Sequence, residues 1–143
     1  MTQKKMTPQQ LIQKKQQSEK MVMLTAYDFI TASLLEDIGV DMILVGDSLG
    51  NVFAGHDTTI PVTVEQIIYH TQIVTRAAKN SMVIADMPFL SYQVSVEETK
   101  RNAGRLIKEG GAQAVKVEIG QQSLDYVKEI IDMGIPVLAH IGF

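Results

Sequence analysis

The chain has 143 residues, room for one domain with a real core, and its 45% hydrophobic and 20% charged residues are ordinary for a soluble globular protein. A net charge of -3 gives no broad basic footprint for nucleic acid or anionic lipid. The absence of cysteine excludes disulfides, Cys–zinc sites and thiol nucleophiles within these residues and fits a reducing cytoplasm.

Residues 1–19 form a polar leader rich in Gln and Lys, without the long apolar stretch of a secretory signal. No run in the chain approaches the ~20 apolar residues of a membrane span. The Lys pairs at 4–5 and 14–15 read as solvated charges. Thr7-Pro8-Gln9-Gln10 predicts a helix start, with Thr7 as N-cap, Pro8 at the first helical position and Gln10 completing a capping box. Leu11 and Ile12 would pack this helix on the body.

Apolar runs then recur near 21–25, 41–45, 82–85, 113–117 and 136–139. They are too continuous for half-exposed strands and predict strands buried on both faces. A helix over about 28–38 has Asp28 as its cap, Ala32, Leu35 and Ile38 on one face, and Gly39 as its stop. Tyr27, just after the first strand, is placed to reach a site at the strand ends. The connection 46–62 is long, holds Gly46, Gly50, Gly55, His56 and Asp57, and ends at Pro61; such a loop is functional or disordered. A second helix opens at the capping box Thr63–Gln66 and buries Ile67, Ile68 and Val74. A third opens at Ser95–Glu98 and ends at Gly110-Gly111. A fourth covers about 122–133, with Leu124, Val127, Ile130 and Ile131 inward and Gly134 closing it.

This alternation is an α/β pattern with a parallel sheet and right-handed crossovers, in one domain over 1–143. Five strands and four to five helices are just over half of a (β/α)8 barrel.

Three apolar runs lead into an acid: LeuValGly into Asp47, ValIleAla into Asp86, and AlaValLysVal into Glu118. Strand ends at the carboxyl edge of a parallel sheet face a common crevice. One carboxylate there can simply cap a loop. Three in successive repeats, without Cys or His beside them, predict a site for a hard cation such as Mg²⁺ in an enzyme that activates a small chelating substrate. Ser48 is either an ordinary turn serine or a hydroxyl that holds a substrate carboxylate. Lys116 shares a strand face with Glu118 and serves either a substrate carboxylate or a structural ion pair. His140 ends the fifth strand on the same edge, with a site role and a structural role both open. His56 reads as loop-fixing, His70 as structural, and Met21, Met23, Met42, Met82 and Met87 as packing. The nucleotide-binding glycine fingerprints and the G-x-S-x-G elbow do not occur.

Seven segments carry a resemblance: LeuThrAlaTyrAsp at 24–28, LeuValGlyAspSerLeuGly at 44–50, GlyHisAspThrThrIleProValThr at 55–63, AlaAspMetProPhe at 85–89, AsnAlaGlyArgLeu at 102–106, GluGlyGlyAlaGlnAlaValLysValGlu at 109–118 and HisIleGly at 140–142. Over about residues 5–143 the chain resembles the ketopantoate hydroxymethyltransferase (3-methyl-2-oxobutanoate hydroxymethyltransferase) family of pantothenate biosynthesis. The resemblance implies a phosphoenolpyruvate-binding type of (β/α)8 barrel, Mg²⁺, and transfer of a one-carbon unit from 5,10-methylenetetrahydrofolate to 3-methyl-2-oxobutanoate, giving 2-dehydropantoate. It further implies a cytoplasmic homo-oligomer. By similarity Asp47 and Asp86 bind the metal and Glu118 completes its environment. Asp47, Ser48, Asp86 and Lys116 hold the keto acid, with His140 beside it.

Two departures matter. Ile119 stands where the family has Gly. The family's proton-abstracting Glu lies beyond Phe143, so no catalytic base is expected within these residues. They are expected to form the N-terminal part of a barrel, to carry a metal half-site with little transferase activity alone, and to be prone to self-association. The competing reading is a phospho-receiver-like signalling module with Mg²⁺-binding acids; a carbon–carbon lyase of the same barrel type is a third, without that class's Cys signature.

Overall fold

The computed structural model describes residues 5–120 and 123–142. Five strands, β1 (Met23–Thr25), β2 (Met42–Val45), β3 (Met82–Asp86), β4 (Ala114–Glu118) and β5 (Val137–His140), alternate with helices. The helices are α1 (Pro8–Gln16), α2 (Phe29–Ile38), α3 (Leu49–Val52), α4 (Val64–Ala77), α5 (Val96–Lys108) and α6 (Leu124–Asp132). The strand runs and the main helices fall where the sequence places them. The extra element is α3, a single turn inside the long 46–62 connection, which is therefore partly helical rather than plain loop.

Local chemistry sets the helix ends. Thr7 and Thr63 both form two-way capping boxes with Gln10 and Gln66. At α5, Ser95 Oγ accepts from the Glu98 N–H. Asp28 caps α2 through the Thr31 N–H, and Gly39 ends it in the left-handed conformation, φ 78°.

All four strand pairs are parallel, and the strands lie in sequential order β1-β2-β3-β4-β5. Sequential order is how a barrel grows. A five-stranded receiver-type sheet reverses at a switch point, in the order 2-1-3-4-5, so the signalling-module reading fails on topology.

The sheet has two distinct faces. Ile43, Val45, Val83, Ala85, Val115 and Val117 pack under the helices against Ala32, Ile67, Val74, Leu106 and Ile130. The opposite face holds Met82, Ile84 and Ala114, with Met42, Leu44 and Leu138 alongside, and Met6 and Leu11 from the N-terminal segment cover it. That segment sits at the amino end of the strands. The Met6 N–H donates to the Asn80 carbonyl at 2.6 Å, and Lys14 pairs with Asp41 at 2.8 Å. The carboxyl end of the same face stays open.

Burial on both faces holds for β3, all five of whose residues are buried, but not for β1, whose three residues are exposed. Strands β1 and β5 are the sheet edges among the described residues, so each has one strand neighbour. The same effect governs helix faces. Ile38 on α2 and Leu124 and Ile131 on α6 are exposed rather than inward, because α2 packs beside α4 and α6 beside α5, each with one helical neighbour. Ile12 of α1 is exposed too, while Leu11 packs. Lys4, Gln122 and Phe143 lie outside the described residues.

Candidate active site

Side chains alternate along a strand, so one face continues by steps of two. On the inner face Ile84 is followed by Asp86, Ala114 by Lys116 and then Glu118, and Leu138 by His140. Strand register places Asp86 beside Lys116 and Glu118 beside His140. Four of the six sequence-predicted site residues thus share one face at one end. Asp47 and Ser48 arrive from the turn after β2.

Asp86 is the centre. It is 2% exposed. The Lys116 ammonium lies 2.8 Å from both of its carboxylate oxygens, and the Asp47 backbone N–H donates to Oδ2 at 3.1 Å. Burial pushes the Asp86 carboxyl up to about 6; the Lys116 charge and the Asp47 N–H hold it back, and the Asp47 carboxylate adds to the rise. Lys116 Nζ is 4.0 Å from Glu118 Oε1, which in turn lies 3.3 Å from His140 Nδ1. Ser48 Oγ lies 2.6 Å from the Tyr27 hydroxyl. A Cβ on Gly46 would stand 3.0 Å from Ser48 Oγ and 3.6 Å from Asp86 Oδ2, so both atoms crowd one glycine.

A cavity of about 340 Å³ opens beside this cluster. Asp47, Asp86 and Glu118 border it, and Ile60, Met87, Phe89 and Tyr92 supply apolar surface. Sequence reasoning missed Tyr92. Its hydroxyl donates to the Glu118 carbonyl at 3.0 Å. Burial pushes that phenol up to about 12, and the charges of Glu118, Asp86 and Asp47 add to the rise. Its segment is pinned from α5: Thr99 Oγ1 donates to the Tyr92 carbonyl and Asn102 Nδ2 to the Ser91 carbonyl, each at 2.8 Å. The available signal was Asn102 in the AsnAlaGlyArgLeu segment, a polar residue that α5 buries.

His70 and His56 lie apart from the acids. His70 Nδ1–H donates to the Tyr27 carbonyl at 2.7 Å. His56 is held in the connection by its backbone, whose N–H donates to Gly50 and whose carbonyl accepts from Asn51 Nδ2.

Among the described residues, no three His, Cys, Asp or Glu side chains close around a single point as a metal cage. A hard divalent cation does not require one. Mg²⁺ takes one or two carboxylates and completes its shell with water and substrate oxygens. Asp86 and Asp47 both line the cavity, the Asp47 backbone N–H meeting the Asp86 carboxylate, and their carboxylates are oxygen donors of the kind that pattern uses.

The sequence profile described as ketopantoate hydroxymethyltransferase matches residues 5–143. The 3-methyl-2-oxobutanoate hydroxymethyltransferase of Geobacter sulfurreducens is 56% identical over 124 residues, 87% of this chain and 46% of that protein. That of Chlorobium phaeobacteroides is 52% identical over 140 residues, 95% of this chain and 50% of that protein. The chain therefore spans about half the length of the curated relatives it matches. Among solved structures, phosphonopyruvate hydrolase in complex with oxalate and Mg²⁺ superposes with a TM-score of 0.68 at 14% identity, covering 94% of this chain and 52% of that one. A 2,3-dimethylmalate lyase of the PEP mutase/isocitrate lyase superfamily gives 0.64 at 14% identity, covering 84% and 48%. At such identity the likeness speaks for the fold alone, a partial barrel.

Proposed function

The chain belongs to the ketopantoate hydroxymethyltransferase family, and from that premise we propose that the whole protein transfers the one-carbon unit of 5,10-methylenetetrahydrofolate to 3-methyl-2-oxobutanoate, giving 2-dehydropantoate. The observation that carries this reading is the buried Asp86–Lys116 pair beside Asp47, at a cavity lined by both acidic and apolar side chains. A branched 2-oxo acid has groups suited to both: two adjacent oxygen groups at one end and a small alkyl tail at the other.

In this reading Asp47 and Asp86 hold Mg²⁺ and Glu118 completes its surroundings. When bound, the ion supplies Lewis acidity to a chelating 2-oxo acid. The solved relative of the same fold that carries oxalate and Mg²⁺ is in keeping with that chemistry. Ser48 and Lys116 bind and orient the keto-acid carboxylate, and Asp47 and Asp86 fix its carbonyl end. Lys116 also faces the negative charge that develops on the carbonyl oxygen as the C3 proton leaves. His140 lies beside the acid, next to Glu118. The buried Met87 and Tyr92, with the more exposed Ile60 and Phe89, offer apolar surface to the alkyl tail. None of the site's residues is assigned as the base that takes the C3 proton, so residues 1–143 alone are expected to bind metal and keto acid with little turnover.

The reading includes a cytoplasmic setting and a homo-oligomer. The first accords with a chain free of cysteine, in which no described helix is long and apolar enough to cross a membrane. The second accords with the exposed Phe29, Ile30 and Leu34 on α2.

Calorimetric titration of the chain with Mg²⁺ and 3-methyl-2-oxobutanoate tests the site. Asp47→Ala should weaken both by about tenfold or more, about 1.4 kcal/mol. An unchanged affinity removes Asp47 from the role. Normal steady-state turnover by these 143 residues would overturn the half-site account.

A further inference from the structure

Tyr27 makes a contact that the reaction as proposed does not use. Its hydroxyl lies 2.6 Å from Ser48 Oγ, a short hydrogen bond between residues 21 positions apart in sequence. Ser48 precedes the single turn α3 without a side-chain capping bond, so its hydroxyl is not spent on the helix end. Tyr27 is held independently at its backbone: the His70 Nδ1–H donates to its carbonyl at 2.7 Å, and the neighbouring Ala26 N–H donates to the Leu44 carbonyl at 3.2 Å. His70 also meets Phe53 edge to face at 4.8 Å, and Phe53 belongs to the same connection as Ser48. One buried imidazole thus locks both segments that bring the two hydroxyls together.

Each hydroxyl can donate one proton, and only one of the two can donate in their shared bond. A carboxylate accepts only. An anion beside Ser48 therefore selects one direction, Tyr27 donating to Ser48 and Ser48 donating to the anion. Chained hydrogen bonds of that kind strengthen one another. No proton changes owner in this arrangement.

We propose that Tyr27 is a positioning residue, whose phenol fixes Ser48 Oγ so that the serine proton is presented to the carboxylate of a bound 2-oxo acid. The inference rests on the reading of Ser48 as a substrate-binding residue.

The test is a double-mutant cycle on the intact chain, with calorimetric affinities for Mg²⁺ alone and for 3-methyl-2-oxobutanoate at saturating Mg²⁺. Tyr27→Phe keeps the ring and removes only the hydroxyl. It should weaken keto-acid binding about three- to tenfold, the scale of one hydrogen bond, while leaving Mg²⁺ affinity and melting temperature at wild-type values. In a Ser48→Ala background the same substitution should change keto-acid affinity by less than about twofold, because the group it acts through is gone. Independent, multiplying effects of the two substitutions overturn the proposal. So does a Tyr27→Phe chain that loses Mg²⁺ affinity and thermal stability in step with keto-acid affinity, the pattern of a packing residue. If the wild-type chain binds Mg²⁺ but no keto acid, the parent reading of Ser48 fails and this inference fails with it. Wild-type keto-acid binding that Tyr27→Phe leaves untouched sinks the inference alone.

Discussion

Asp86 is a carboxyl held in a buried place, and Lys116 is what makes its charge tolerable. The ordinary carboxyl value is 3.8, and in the folded chain burial raises it to about 6 against the pull of Lys116. The sign follows directly. Below pH 3.8 the group is protonated folded or unfolded and contributes nothing. As pH rises from there through about 6 the folded chain must accept a buried charge, so stability falls, by at most about 3 kcal/mol, and is flat above. Lys116→Met removes the compensating ammonium, 2.8 Å away, and should drive the carboxyl higher still. In metal-free buffer, urea midpoints should therefore show a larger loss for this variant at pH 8 than at pH 5, where protonation relieves the unpaired charge. Equal losses at the two pH values would mean that Lys116 does not offset Asp86. Gly46→Ala belongs to the same neighbourhood. Its new Cβ at 3.0 Å from Ser48 Oγ forces that hydroxyl to shift by a few tenths of an ångström, so keto-acid affinity should drop several-fold with a stability change of about 1 kcal/mol or less. An unchanged affinity would show that Ser48 moves freely. At this scale the acids were legible because a strand tip announces itself by the end of an apolar run. The pairing of Lys116 with Glu118 on one face was legible from period two. Tyr92 and the Tyr27–Ser48 bond were not, because each joins segments brought together only by the tertiary packing, with no local spacing to betray them.

Elements show the complementary limit. Caps are local chemistry, and the Thr63–Gln66 box on α4 is closed by two hydrogen bonds within four residues, at 2.9 and 3.2 Å. Thr63→Ala should cost about 1 kcal/mol of unfolding free energy, read as a shift in the urea midpoint at constant slope. A null effect would mean that the end of α4 is held by its packing on β2 and β3 instead. Helix faces are different, because a stripe of Leu and Ile says which side seeks cover and nothing about whether cover is present. The α4 stripe of Ile67, Ile68 and Val74 is buried, since that helix has neighbours on both sides in α2 and α5. On α6, Leu124 and Ile131 carry the same signal and remain exposed beside a single helical neighbour. The sequence pattern was the same in both; position in the layer decided the outcome.

At the scale of the whole molecule the β-α alternation made the fold class legible, but strand order was not, since a receiver sheet and a barrel share that alternation. The sequential order settles between them, and among the described residues it leaves β1 and β5 as edges. At the β1 edge the exposure is apolar as well as hydrogen-bonding. Met21, Val22, Met23 and Leu24 run along it, and α2 adds Phe29, Ile30, Leu34 and Ile38, with Ile30 73% and Ile38 72% exposed. A strand edge offers unpaired amides and carbonyls as a template, and exposed apolar side chains on the neighbouring helix supply a driving force for a second chain to dock. The chain as described here should therefore associate with itself, with a sedimentation coefficient that rises over a micromolar concentration series. Charge on the edge should reverse this without touching the acids at the far end of β3 and β4. Leu24→Lys combined with Ile30→Glu is expected to shift the distribution toward monomer and leave Mg²⁺ affinity as it was. A concentration-independent monomer before substitution would show that this surface is content in water, and that the apolar side chains on α2 are too scattered to act as one patch.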